Sequence, residues 1–122
     1  MMNFLRPSGP RVAQISPSDA VAQAAKGALT VIDVRELAEL KASGKAKGAL
    51  HVPLSLIAVK CDPSAPDLPK GMRIDKPIAV YCASGGRSGM AAGTLLKLGY
   101  QTVYNIGGFS DWVSAGGAAE NV

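Results

Sequence analysis

Short apolar runs alternate with amphipathic stretches along this chain, and glycines or prolines punctuate the changes. Leu29-Thr30-Val31-Ile32-Asp33-Val34 is continuous and rich in β-branched residues, as a strand buried on both faces requires. Ile78-Ala79-Val80-Tyr81 repeats that character, and Val12-Ala13-Gln14-Ile15, Ala49-Leu50-His51-Val52 and Thr102-Val103-Tyr104-Asn105 are further short strands. Ser16-Pro17-Ser18-Asp19 supplies cap and first-turn chemistry for a helix through Ala25, closed at Gly27. Arg35 to Ala42 reads as a short helix stopped at Gly44, and Ser55 to Val59 as another. Ser88 to Leu98 is a longer helix with Ala91, Leu95 and Leu98 on one face. Its Gly89 and Gly93, each costing about 1 kcal/mol relative to alanine, predict close approach to the sheet. Gly107-Gly108 leads into a last helix carrying Phe109 and Trp112, and the proline-rich stretch from Cys61 to Gly71 reads as a surface loop. Strands alternating with helices predict an α/β domain with a mainly parallel sheet, whose ligands sit at the carboxyl ends of the strands.

Composition narrows the class. The chain has 122 residues, 48% of them hydrophobic and 18% charged, which fits one globular domain over 12–122 behind a flexible lead-in over 1–11. No apolar run spans a bilayer, and Arg6, Pro7, Gly9, Pro10 and Arg11 stand where a signal peptide needs apolar residues, so a cytoplasmic location is expected. The formal charge is +4. Lys41, Lys45, Lys47, Lys60, Lys70, Arg73 and Lys76 outnumber Asp62, Asp67 and Asp75, a basic stretch suited to steering a small anion or an acidic protein. Aromatic residues are too sparse for a nucleic-acid binder. Cys61 and Cys82 form no Cys-x-x-Cys and the single histidine, His51, has no ligand partner at metal spacing, so neither metal nor cofactor is expected. Cys61 reads as an incidental thiol.

The chemistry concentrates in Tyr81-Cys82-Ala83-Ser84-Gly85-Gly86-Arg87-Ser88. A strand delivers a cysteine into a loop of small residues that ends in an arginine and a helix. A thiolate is the nucleophilic form, and a free cysteine with a pKa of about 8.5 is mostly protonated at neutral pH. A helix N-terminus favours an anion, glycines let successive N–H groups turn inward, and arginine adds a fork of donors for an oxyanion. These residues predict a lowered Cys82 pKa and an alkylation rate that is flat between pH 6 and 8.

From about Ile15 to Gly117 the chain resembles a single-domain rhodanese, of the sulfurtransferase family. Val31-Ile32-Asp33-Val34-Arg35, the segment from Gly44 through Leu54, the loop Val80 to Ser88, and Gly107-Gly108-Phe109 with Trp112 carry the likeness in order and spacing. The resemblance implies a five-stranded, mainly parallel sheet flanked by helices on both faces, with Cys82 as nucleophile and sulfur carrier. The thiolate would take sulfane sulfur from thiosulfate, or from a persulfide on a donor protein, and pass it to cyanide, a thiol or an acceptor protein. The backbone N–H groups of Ala83, Ser84, Gly85, Gly86, Arg87 and Ser88 would cradle the anion. Arg87 would bind the oxyanion or brace the loop from outside. Asp33 and Arg35 would support the site as an ion pair fixing a neighbouring loop, so that reversing both charges together would restore much of the stability lost in either single change.

The chain departs from the family at two places. Lys45 stands where a histidine is common, and Ala83 where a basic residue often follows the cysteine. With one charge fewer thiosulfate would be held weakly, so that a low-affinity thiosulfate activity or a protein persulfide donor fits. Two other readings compete. The fold also hosts phosphatases and arsenate reductases, but a phosphatase loop has five residues between cysteine and arginine, against Ala83, Ser84, Gly85 and Gly86 here. A non-catalytic binding or regulatory module usually lacks the cysteine, which is present.

Overall fold

The computed structural model describes residues 12–122; the lead-in expected over 1–11 lies outside the described residues. Four parallel strands form the main sheet in the order β3 (Leu50–His51), β1 (Thr30–Asp33), β4 (Ile78–Cys82) and β5 (Val103–Gly108). The expected strand at Val12–Ile15 is present as a single parallel bridge from Ala13 to Tyr104, which holds the fifth place beside β5. Ser16 commits the chain to a helix directly afterwards, its hydroxyl accepting the Asp19 N–H at 3.1 Å.

Because successive strand residues face opposite ways, the sheet builds two cores. Ile32, Ile78, Val80 and Cys82 pack with Ile57, Ala91, Ala92 and Leu95, from α3 (Ile57–Lys60) and α4 (Gly86–Lys97). Val31, Ala79, Tyr81 and Ile106 pack with Ala20 and Trp112, from α1 (Pro17–Ala25) and α5 (Phe109–Ser114). Phe109 and Trp112 thus belong to the core, with the indole N–H donating to the Ala118 carbonyl at 2.8 Å. Helices flank both faces, as expected. A Cβ on Gly89 would lie 3.4 Å from the Asn105 amide nitrogen, an ordinary contact, and Gly93 faces open space, so neither glycine is what lets the helix approach the sheet.

Two short elements complete the fold. α2 (Leu37–Ser43) follows β1, and β2 (Lys45–Ala46) pairs antiparallel with β6 (Ala119–Glu120). Lys45 binds the Ala49 carbonyl and the Glu120 carboxylate, so it ties the chain's last strand and faces no reactive group. Among the described residues no helix is long and apolar enough to cross a membrane.

Candidate functional site

All parallel strands end on one edge of the sheet, and Cys82 is the last residue of β4 there. The turn into α4 requires Gly85 in the left-handed region, at φ +104°, where a Cβ is strained. That geometry folds the loop back over its own cysteine. The Gly85 N–H donates to Sγ at 3.0 Å, and the Ser88 hydroxyl lies 3.4 Å from it. Burial, with Cys82 only 1% exposed, pushes the thiol up, but hydrogen bonds from the Ser88 hydroxyl and the N–H groups of Ser88, Ser84 and Gly85 outweigh it. The thiol comes to about 7. Ala83, Ser84 and Gly86 are exposed around the sulfur and Gly85 is half-buried, so the loop forms an open rim about it.

Arg87 reaches from the loop toward α2 while staying close to the Cys82 side chain. Its two terminal nitrogens bind the two oxygens of Glu39 at 2.6 and 2.8 Å, joining the start of α4 to α2. This bidentate pairing holds the Glu39 carboxyl down at about 2, aided by the Glu36 N–H, and pushes the guanidinium up. Glu39 thus holds Arg87 across α2 and α4 while the guanidinium still acts on Cys82.

Asp33 and Arg35 form a buried ion pair, Nη2 to Oδ2 at 2.7 Å. The pair reaches further than the sequence suggests. Arg35 donates to Ser43 Oγ and to the Gly44 carbonyl, each at 2.8 Å, and its guanidinium lies 4.7 Å from the Phe109 ring centre and 5.6 Å from that of Tyr81. It therefore fixes the end of α2 against the sheet without meeting the cysteine loop. His51 Nε2–H donates to the Arg35 carbonyl at 2.7 Å, closing the same corner. Cys61 is fully buried, and burial pushes its thiol up to about 11.

Gly107-Gly108 gives the loop its floor. A Cβ on Gly108 would lie 2.2 Å from the Ala83 carbonyl oxygen, so only glycine permits that contact. Sequence reasoning missed Asn105, whose amide bonds to Gly85, Ser88 and Gly107. Its one signal was position, two residues before a Gly-Gly at a strand end.

Comparison with known proteins follows this geometry. The model of the rhodanese-like domain family matches residues 16–115. An uncharacterized protein of Bacillus subtilis, YqhL, is 40% identical over 83 residues, covering 67% of this chain and 59% of its own length. The thiosulfate sulfurtransferase GlpE of Pseudomonas entomophila is 35% identical over 102 residues, 83% of this chain and 84% of its own. Among solved structures, a Rhodopseudomonas palustris protein of unknown function, described as a possible tyrosine phosphatase, aligns with a TM-score of 0.77 at 30% identity. That alignment covers 89% of this chain and 85% of the other.

Proposed function

Because the chain belongs to the rhodanese-like domain family, we propose that it is a sulfurtransferase working through a Cys82 persulfide. It moves sulfane sulfur from thiosulfate or a persulfide donor to a thiol, cyanide or a protein acceptor. One observation carries this reading: a cysteine at a strand end, with its thiol at about 7, inside a ring of backbone donors. The Cys82 thiolate attacks the donor's outer sulfur. A new S–S bond forms on Sγ as the donor's own sulfur–sulfur bond breaks, and that bond's electron pair leaves with sulfite or a thiolate. The acceptor then attacks the terminal sulfur and returns the electron pair to Sγ, which splits one difficult transfer into two steps.

In this reading the N–H groups from Ala83 to Ser88 hold the terminal sulfur anion, where preorganised donors stabilise developing charge. Arg87, already occupied by Glu39, braces the loop and adds its charge from the side. The absence of a basic residue at Ala83 favours a persulfide carried by a protein over free thiosulfate. The exposed lysines Lys41, Lys47 and Lys70 suit an acidic partner.

The test is the intact mass of reduced, desalted protein after thiosulfate or a thiol persulfide, beside Cys82→Ser. A gain of one sulfur atom on the wild type alone, removed by cyanide, supports the proposal. No gain from any donor, with Cys82-dependent hydrolysis of an aryl phosphate, supports the phosphatase reading that the R. palustris description raises. Inactivity in both assays supports a binding module.

A further inference from the structure

Asn105 stands beside the reactive loop, on the face of β5 that meets α4. β4 and β5 fall out of register between Val80, opposite Asn105, and Cys82, opposite Gly108. Two residues of β4 thus span three steps of β5, and the resulting bulge leaves the Asn105 amide beneath the cysteine loop. Its orientation is fixed by its partners. The Gly107 N–H donates to Oδ1 at 3.0 Å, so Oδ1 is an acceptor and Nδ2 must be the atom that donates to the Gly85 carbonyl, also at 3.0 Å.

Ser88 completes the set. Its hydroxyl carries one hydrogen, yet lies 2.7 Å from Asn105 Oδ1 and 3.4 Å from Cys82 Sγ. With a neutral thiol, the shorter contact takes the hydrogen and the Ser88 oxygen faces the S–H. With a thiolate, the hydrogen turns to sulfur, and Oδ1 stays satisfied by Gly107. No buried polar atom is orphaned in either state, which matters because an unpaired one costs about 1–3 kcal/mol.

We propose that Asn105 is a positioning residue for Cys82: its Nδ2 ties the Gly85 carbonyl to β5 and so steadies the turn whose Gly85 N–H faces the sulfur, while its Oδ1 holds the Ser88 hydroxyl beside it. The inference rests on Cys82 being the reactive group. The two ends of the amide act in opposite directions. Losing Oδ1 frees the Ser88 hydrogen for sulfur, while losing Nδ2 leaves the Gly85 carbonyl held by the Gly89 N–H alone, at 3.1 Å, and cuts the tie from β5 to the turn that carries the N–H donors. Of the four hydrogen bonds that favour the thiolate the Ser88 hydroxyl's is the largest and three come from the loop backbone; the expected result is that the three together outweigh the one. Asn105→Asp separates the two, since it keeps an acceptor for Ser88 and Gly107 but sets an anionic oxygen against the Gly85 carbonyl.

The experiment is peptide-mapped iodoacetamide alkylation of Cys82 against pH, with unfolding midpoints measured alongside. In Asn105→Ala the alkylation midpoint rises by a unit or more, which lowers the rate at pH 7 by about fivefold, while the high-pH rate stays near wild type. Asn105→Asp moves at least as far. A folded variant of either kind whose midpoint stays within about 0.2 unit of wild type overturns the proposal, even if its unfolding temperature falls. If neither folds, Asn105→Ser decides, because its shorter side chain cannot reach the Gly85 carbonyl that Nδ2 now holds. A small rise in midpoint supports the role and an unchanged one overturns it. A wild type that alkylates as described but accepts no sulfur defeats the sulfurtransferase reading and leaves the role of Asn105 standing.

Discussion

Glu39 grips Arg87 with both carboxylate oxygens and, through the same Oε1, accepts the Glu36 N–H at 3.0 Å. One side chain therefore closes the first turn of α2 and anchors the first turn of α4. The guanidinium at the start of α4 is held by its neighbour on α2 while lying close to the Cys82 side chain.

Removing that grip should change binding more than stability. Both side chains are about one-third exposed, at 35% and 34%, and such pairs contribute at most about 1 kcal/mol. Glu39→Gln leaves Arg87 free to turn toward the loop. In steady-state kinetics with thiosulfate, KM should fall several-fold while the urea midpoint moves little. An unchanged KM would mean that Arg87 stays docked on α2 without its partner.

The pH profile follows from Cys82 at about 7, which differs from the flat response that the loop residues alone suggest. Alkylation should climb from pH 6 through 8 and level off above, as thiolate replaces thiol. Folding lowers this group from its ordinary value of about 8.5, so its stabilising contribution is present above that value and lost as pH falls through about 7. Wild type should therefore gain stability over Cys82→Ser between pH 7 and 9. Cys61, buried and raised to about 11, should stay unmodified until the protein unfolds.

The double charge reversal of Asp33 and Arg35 should not rescue the fold. An aspartate at 35 would face the Gly44 carbonyl and the Ser43 hydroxyl that Arg35 now serves, and would lose the Phe109 ring. Arg35→Met leaves Asp33 buried and unpaired, at a cost of about 3–5 kcal/mol. Chemical denaturation of both singles and the double should show the double no more stable than the milder single.

Gly108→Ala should damage the site through the backbone. Its Cβ would fall 2.2 Å from the Ala83 oxygen, and neither atom belongs to a flexible side chain. Overpacking of this kind costs about 1–3 kcal/mol, sometimes more. The thiol's alkylation at pH 7 should slow as the loop is pushed off its donors, a change visible in the same mapped-peptide assay.

Much of this was legible locally. The β-branched runs at Leu29–Val34 and Ile78–Tyr81 fixed two central strands, and Cys82 to Ser88 carried its loop chemistry in eight consecutive letters from Tyr81. What escaped depends on distance along the chain. Lys45-Ala46 pairing with Ala119-Glu120 is too short to show a period. Glu39 meets Arg87, and Asn105 meets Gly85, only once the sheet brings their elements together. The strand at Val12 shrank to one bridge at Ala13 because Ser16 and Pro17 start a helix so soon after.

Tyr81 and Cys82 are consecutive residues of β4 that belong to different cores. Tyr81 stacks on Phe109 with ring centres 5.8 Å apart, and Phe109 follows directly on the Gly108 that floors the loop. Cys82 is thus one peptide bond from a residue packed in the layer on the other face of the sheet. A shift of α5 that tilted the strand end should therefore change the thiol's alkylation rate. A library of α5 core substitutions sorted by alkylation rate should fall in the order of their disturbance at Tyr81.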